Sequence, residues 1–320
     1  MPRVVVTDAT FPSLDHERAA AAKHQASFDV LDSSAEADVI AAAENTDVLL
    51  VQFANVSRHV MEVLPQNATI VRYGLGLDNL DLAAANELGI KVAYVPDYAT
   101  GEVADHTASL VLASLRKIIP LDHSVRSGQW DPVGIAKPLQ GFSDSTVGFF
   151  GFGRIGREVH ARLQPFGFKS IVHDPFANPT EINALNARPV DLDELFSNSD
   201  VITLHVPLTP DTKNVVDARR LSQMRRNAIV VNTARGGLID AEALARALEA
   251  GTIAGAALDV FEHEPLPENS LLRRCPNLIL TPHAAWYSTR AAESLQALAA
   301  DEVDRALSGI PPRCPAPHPA

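Results

Sequence analysis

Short apolar runs alternate with alanine-rich amphipathic stretches along the chain. Residues 4–6, 48–51, 69–72 and 92–95 read as strands in the first third. A second set covers 146–150, 170–173, 201–204, 228–232, 255–258 and 278–280. Stretches of helical period lie between them, for example at 155–166 and 241–250. Strand, helix and strand repeated in this way predict parallel sheets in an α/β architecture. The rhythm breaks once, where 102–118 (EVADHTASLVLASLRKI) reads as one long helix followed by a polar loop containing SGQW. A last helical stretch, 289–307, precedes a proline-rich tail, PPRCPAPHPA, expected to be loose.

With 320 residues and 46% apolar content, more than one core is expected. Two doubly wound parallel-sheet domains follow. One covers 1–101 and is completed by 288–320, and the other covers 102–287. The 27 basic against 39 acidic residues give a formal charge of −12, which disfavours direct nucleic-acid binding. Cys275 and Cys314 make no metal-type spacing, so no metal is expected, and a reduced, cytoplasmic protein is the simple reading. The opening residues show no signal-peptide pattern, and no apolar run approaches the roughly 18 residues of a membrane span.

Candidate chemistry begins at TVGFFGFGRIGREV. Gly151, Gly153 and Gly156 have G-x-G-x-x-G spacing, after a predicted strand and at the start of a predicted helix. Gly151 would permit the tight turn, Gly153 a close approach of a pyrophosphate, and Gly156 close helix–strand packing. The N–H groups of Arg154 and Ile155 would meet the phosphates. Asp174 ends the next predicted strand, 23 residues after Gly151, near the offset of about 20 at which an acid binds the ribose hydroxyls. It would repel a 2′-phosphate, favouring NAD over NADP.

Three further strand ends carry polar residues. Arg235 lies in NTARGGLID, Asp259 and Glu264 in ALDVFEHEP, and His283 in LTPHAAWYS. Ligands bind at the carboxyl ends of strands in such sheets. A histidine can protonate a ketone oxygen near neutral pH, a carboxylate on its other nitrogen favours the imidazolium, and an arginine can hold a carboxylate and polarise a carbonyl. Together they suit hydride transfer to a 2-keto acid. Taken singly, each has a bland alternative: a structural histidine, a turn glutamate before Pro265, a surface arginine.

The set GFGRIG, NTARGGLID, ALDVFEHEP and TPHAAW resembles the D-isomer-specific 2-hydroxyacid dehydrogenase family over nearly the whole chain. The resemblance places the catalytic residues at Arg235, Glu264 and His283, a nicotinamide-side acid at Asp259 and the ribose-binding acid at Asp174. It implies a substrate-carboxylate loop in VRYGLGLDNLD, with Gly74, Leu75 and Gly76 offering N–H groups. It also implies cofactor contacts from Thr107, from His205, Val206, Pro207 and Thr212 in the HVPLTPDT loop, and from Thr233 and Ala234. Arg72, Tyr73 and Tyr98 are candidate readers of the substrate's far end, although Arg72 could equally be paired away from the pocket.

AAWY after the histidine departs from the usual small residues and is similar to the C-terminal-binding proteins, dehydrogenase-like co-repressors. Trp286 is then either a pocket wall or a packing residue at the hinge. Two functions follow: an NAD-dependent 2-keto acid reductase, favoured here because the chain has no long extra terminal segments, or an NAD-sensing co-repressor-like protein. The resemblance also implies that 1–101 with 288–320 is a flavodoxin-like substrate domain and 102–287 a Rossmann domain for NAD, with a cleft between them, and that the protein is a homodimer joined through the cofactor domain. The apolar positions Leu110 and Val111 on the long helix, with Ala113 and Ser114, fit burial within one chain or between two.

Overall fold

The computed structural model describes residues 1–317, and in them two parallel sheets. β1 (Arg3–Val6), β2 (Ser27–Val30), β3 (Val48–Val51), β4 (Thr69–Arg72) and β5 (Lys91–Tyr94) form the first, in the order β2-β1-β3-β4-β5. The second holds β6 (Thr146–Phe150), β7 (Lys169–His173), β8 (Ala187–Pro189), β9 (Val201–Leu204), β10 (Ile229–Asn232), β11 (Gly255–Leu258) and β12 (Leu278–Leu280). Its order is β12-β11-β10-β9-β6-β7-β8. The first is the flavodoxin-like order and the second the Rossmann order extended by one strand. The order reverses between β1 and β3 in one sheet and between β6 and β9 in the other.

The chain divides into two units. Met1–Tyr98 and the chain from Ser288 onward form one; Ala99–Tyr287 forms the other. In the second unit β10 alternates, sending Val230 into one apolar cluster and Ile229 and Val231 into another. Both faces of the strand are therefore buried, which is why it reads as an uninterrupted apolar run. In the first unit Leu49, Val51 and Ile70 are central to one cluster, beneath the helices Glu36–Ala43 and Arg58–Glu62.

Two strands escape the apolar pattern, β2 (SFDV) and β8 (ARP). Both stand at a sheet edge, where one flank is open and polar residues are tolerated. The long helix is Thr100–Leu115, three residues shorter at its end than expected. Lys117 adopts a left-handed conformation (φ 51°) and a new helix runs from Ile118 to Arg126. Pro120 is the reason: it has no N–H for the Arg116 carbonyl and its ring would collide with it, whereas the first turn of a fresh helix accepts proline. The expected polar loop therefore starts as helix. A further short helix, Pro132–Ala136, is capped by Asp131, which accepts from Gly134 N at 2.8 Å.

The tail is not loose where it is described. Tyr94 N donates to Cys314 O (3.1 Å) and Ala316 N to Val92 O (2.9 Å), so the tail pairs with the open edge of β5. The buried Glu302 accepts from Arg313 N at 3.0 Å and Cys314 N at 3.3 Å, and Arg313 pairs with Asp97 at 3.1 Å. Residues 318–320 of that expectation lie outside the described residues. The helix Thr289–Leu307, capped by Ser288 at Ala291 N, packs on the helix Asp15–Lys23, so the chain does return to the first unit.

Candidate active site

The glycine loop leaves β6 at the reversal point of the second sheet. A Cβ on Gly151, whose φ is +91°, would lie 2.7 Å from His205 O, so only glycine fits against the loop after β9. A Cβ on Gly156 would lie 2.5 Å from Gly151 O, which records the close helix–strand approach. Around Gly153 there is open space, and the helix Arg154–Leu163 begins there without a side-chain cap. Its first N–H groups are thus disposed for an anion, and the residues fit a dinucleotide pyrophosphate.

Asp174 follows β7. One of its oxygens accepts from Phe152 N at 2.7 Å and the other from Phe176 N at 2.9 Å. An ionised carboxylate has about four acceptor sites, so capacity for ribose hydroxyls remains. His205 is stacked on Phe149 and hydrogen-bonded to Thr203 Oγ1 (3.0 Å); burial of the ring pushes its pKa down to about 3, leaving it neutral. The loop it opens is fastened by Thr212, which donates to Pro207 O at 2.7 Å and accepts from Thr209 N at 2.8 Å. Val206 packs against the second unit's core and Pro207 is exposed.

The three polar strand ends leave neighbouring strands at one level, since Asn232 pairs with Leu258 and Leu258 with Leu280. His283 Nδ1 lies 2.6 Å from Glu264 Oε2, and Glu264 Oε1 accepts from Phe261 N at 2.8 Å. Both side chains are about 30% exposed, so the pair is sheltered yet reachable. His283 has a left-handed backbone (φ 52°), a conformation that costs a non-glycine residue about 1–2 kcal/mol and needs support. Asp259 supplies it. Wholly buried, it accepts from Ala284 N and Ala285 N at 2.9 Å and from Thr281 Oγ1 at 2.5 Å, while its carbonyl accepts from His283 N at 2.7 Å. The residue expected on the nicotinamide side thus also braces the histidine turn.

Arg235 sits in a turn shaped by the buried Asn232, whose side chain donates to Arg235 O (2.8 Å) and accepts from Ala234 N (3.0 Å). The next residue packs backbone to backbone: a Cβ on Gly236 would lie 1.9 Å from the Phe261 carbonyl carbon and 2.3 Å from Glu262 N. The arginine turn therefore abuts the loop that carries Glu264. Among the described residues no group of three or more histidine, cysteine or acidic side chains could hold a metal.

Comparison with known proteins identifies the family. A model of the D-isomer specific 2-hydroxyacid dehydrogenase NAD-binding domain matches residues 108–285. The chain belongs to that family. It is an NAD-dependent oxidoreductase, and the Rossmann-ordered unit is its NAD-binding domain. This dehydrogenase is 36% identical over 280 residues to the glycerate dehydrogenase of Methylorubrum extorquens, covering 86% of this chain and 87% of that one. It is 39% identical over 264 residues to the glyoxylate reductase of Thermofilum pendens, covering 80% and 77%. The crystal structure of the TT0316 protein from Thermus thermophilus superposes with a TM-score of 0.86 at 33% identity, over 98% of this chain and all of that one. The named enzymes among these relatives do not favour the co-repressor reading.

One expected substrate contact of the dehydrogenase is placed differently, and one expected cofactor contact is buried. Tyr73 is 1% exposed and its hydroxyl donates to the buried Glu17 at 3.0 Å, so its side chain faces the core of its unit and not a substrate. Thr107 is wholly buried; it donates to Val103 O at 2.6 Å and meets Thr233 Oγ1 at 2.7 Å, so what it touches is the Thr233–Ala234 turn. Gly74, with φ +121°, needs to be glycine, and Arg72 lies over it, its Nη1 donating to Tyr73 O. Leu75 is 41% exposed and Gly76 is buried. Trp286 is half-buried, edge-on to Tyr287 at 5.6 Å. Asn232, Gly236, Thr281 and His106 escaped the sequence reading. The Gly-Gly turn and the strand-final asparagine were visible there, but what they pack against was not.

Proposed function

We propose that this dehydrogenase reduces a small 2-keto acid to its D-2-hydroxy acid, with His283 as proton donor, Glu264 as its partner and Arg235 as the substrate's anchor. The observation that carries the reading is the 2.6 Å contact of His283 Nδ1 with Glu264, one strand away from the Arg235 turn. NAD, when bound along Gly151–Gly156 and Asp174, supplies the hydride acceptor or donor. Glu264 holds Nδ1, so proton exchange with the substrate oxygen falls to Nε2. Arg235 binds the substrate carboxylate and polarises the carbonyl.

The test is oxidation of NADH, with NADPH beside it, across glyoxylate, hydroxypyruvate, pyruvate, phenylpyruvate, phosphonopyruvate and 3-phosphohydroxypyruvate. Turnover with a clear favourite is expected. His283→Gln should keep NADH binding and lose at least about 100-fold in kcat; unchanged turnover refutes the assignment.

A homodimer and a cytoplasmic location belong to the same proposal. Leu110 and Val111 are buried within the second unit itself. The apolar surface that supports self-association lies on the following two helices and the segment between them, where Ile118, Ile119, Val125, Trp130 and Val133 are each at least half exposed. Among the described residues no helix is long and apolar enough to cross a membrane.

A further inference from the structure

We propose that His106 and Thr107, consecutive residues of the helix Thr100–Leu115, are positioning residues that hold the His283 turn and the Arg235 turn in mutual register. The inference rests on the assignment of His283 and Arg235 above. His106 Nε2 lies 3.1 Å from Thr281 Oγ1 and 3.6 Å from Asp259 Oδ1. Thr107 Oγ1 lies 2.7 Å from Thr233 Oγ1. The turns they touch leave β12 and β10, which stand on either side of β11 and so about 10 Å apart. Successive helical residues point roughly 100° apart, so one helix reaches both turns from adjacent positions.

Proton counting gives each contact a direction. Thr281 has one hydroxyl proton and donates it to Asp259 Oδ1, a carboxylate that already accepts from Ala284 N. Thr281 Oγ1 therefore accepts from His106, whose Nε2 carries a hydrogen. Thr107 has one proton and donates it to Val103 O, so Thr233 donates to Thr107. A chain of hydrogen bonds thus runs from His106 through Thr281 to Asp259, and Asp259 holds the backbone N–H groups of the left-handed His283 and of Ala284 and Ala285. A second runs from Thr107 to Thr233, two residues from Arg235. Neither side chain needs to touch the reacting atoms. Their effect is to keep a proton donor and a carboxylate anchor, carried on separate strands, at one spacing. A displacement of about 1 Å can cost on the order of 100-fold in rate.

His106→Ala and Thr107→Val remove these contacts; His106→Gln and Thr107→Ser retain a hydrogen-bonding group at each. Each is assayed for kcat, for KM of the preferred 2-keto acid, for NADH dissociation constant by fluorescence and for Tm. The alanine and valine variants should lose about tenfold or more in kcat while NADH affinity stays within about twofold, and the Gln and Ser variants should recover most of the loss. Should His106→Ala fail to fold, Thr107→Val against Thr107→Ser carries the test. Wild-type kcat in His106→Ala and Thr107→Val, with His283→Gln inactive, overturns this proposal alone. Parallel loss of Tm and NADH affinity without rescue also overturns it, because that is the mark of general destabilisation. Wild-type turnover in His283→Gln overturns the functional reading and the proposal with it.

Discussion

Gly236→Ala adds one methyl group, and the structure says what that methyl must displace. Its Cβ would lie 1.9 Å from the Phe261 carbonyl carbon, 2.2 Å from its oxygen and 2.3 Å from Glu262 N. All three are backbone atoms, so no side chain can rotate away. Carbon atoms rest at about 3.5 Å or more, so the arginine turn and the Glu264 loop must part by roughly 1.5 Å. Overpacking of this kind costs about 1–3 kcal/mol of stability. The larger effect is on rate, because the displaced loop carries Glu264 and the displaced turn carries Arg235. A shift of that size predicts a fall in kcat/KM of about 100-fold, equivalent to roughly 2.7 kcal/mol of transition-state stabilisation. The assay is NADH oxidation with the preferred 2-keto acid, alongside thermal unfolding and an NADH titration. NADH should still bind, since the glycine loop after β6 is remote in sequence and has its own supports. A variant with wild-type kcat/KM would refute the claim that these two turns are locked together through Gly236.

Two further outcomes follow from buried and partly buried carboxylates. Burial raises the Glu17 pKa, so the neutral acid suits the fold; its stabilising contribution is full below the ordinary value of 4.5 and is lost as pH rises through the raised value. The urea midpoint of the wild type should therefore fall relative to Glu17→Gln as pH rises above 4.5; a constant gap would show that Glu17 does not change its charge on folding as described. Asp174→Asn removes the charge that would meet the ribose hydroxyls. Hydrogen bonds to charged groups contribute about 1.5–3 kcal/mol, so NADH affinity should drop roughly 10- to 100-fold and the preference over NADPH should narrow. Equal losses for both cofactors would point instead to collapse of the loop that Asp174 braces through Phe152 N.

Legibility in the chain followed burial. Central strands such as β3 and β10 are apolar on both faces and stand out in any window of the sequence, whereas β2 and β8, open along one flank, do not. The glycine motif was legible because each glycine answers a local backbone demand, and the structure shows those demands at Gly151 and Gly156. Tyr73 was misread because its position at a strand end says nothing of which way the ring turns; a buried carboxylate on a distant helix, Glu17, captures it. The tail was misread because proline-rich composition suggests looseness, while an open β5 edge offers it hydrogen bonds.

By itself, then, the sequence determined the α/β class, the alternation of strands and helices, the dinucleotide loop and the residue types able to move a proton and hold an acid. These depend on periodicity and on chemistry confined to a few consecutive residues. Tertiary structure alone decided that Asp259 braces the turn beneath His283, that Gly236 joins two loops, and that His106 reaches Thr281 across 175 positions of chain. Such contacts are made when separate strands are brought level in one sheet, and no local pattern records which distant backbone N–H or hydroxyl a buried side chain will meet.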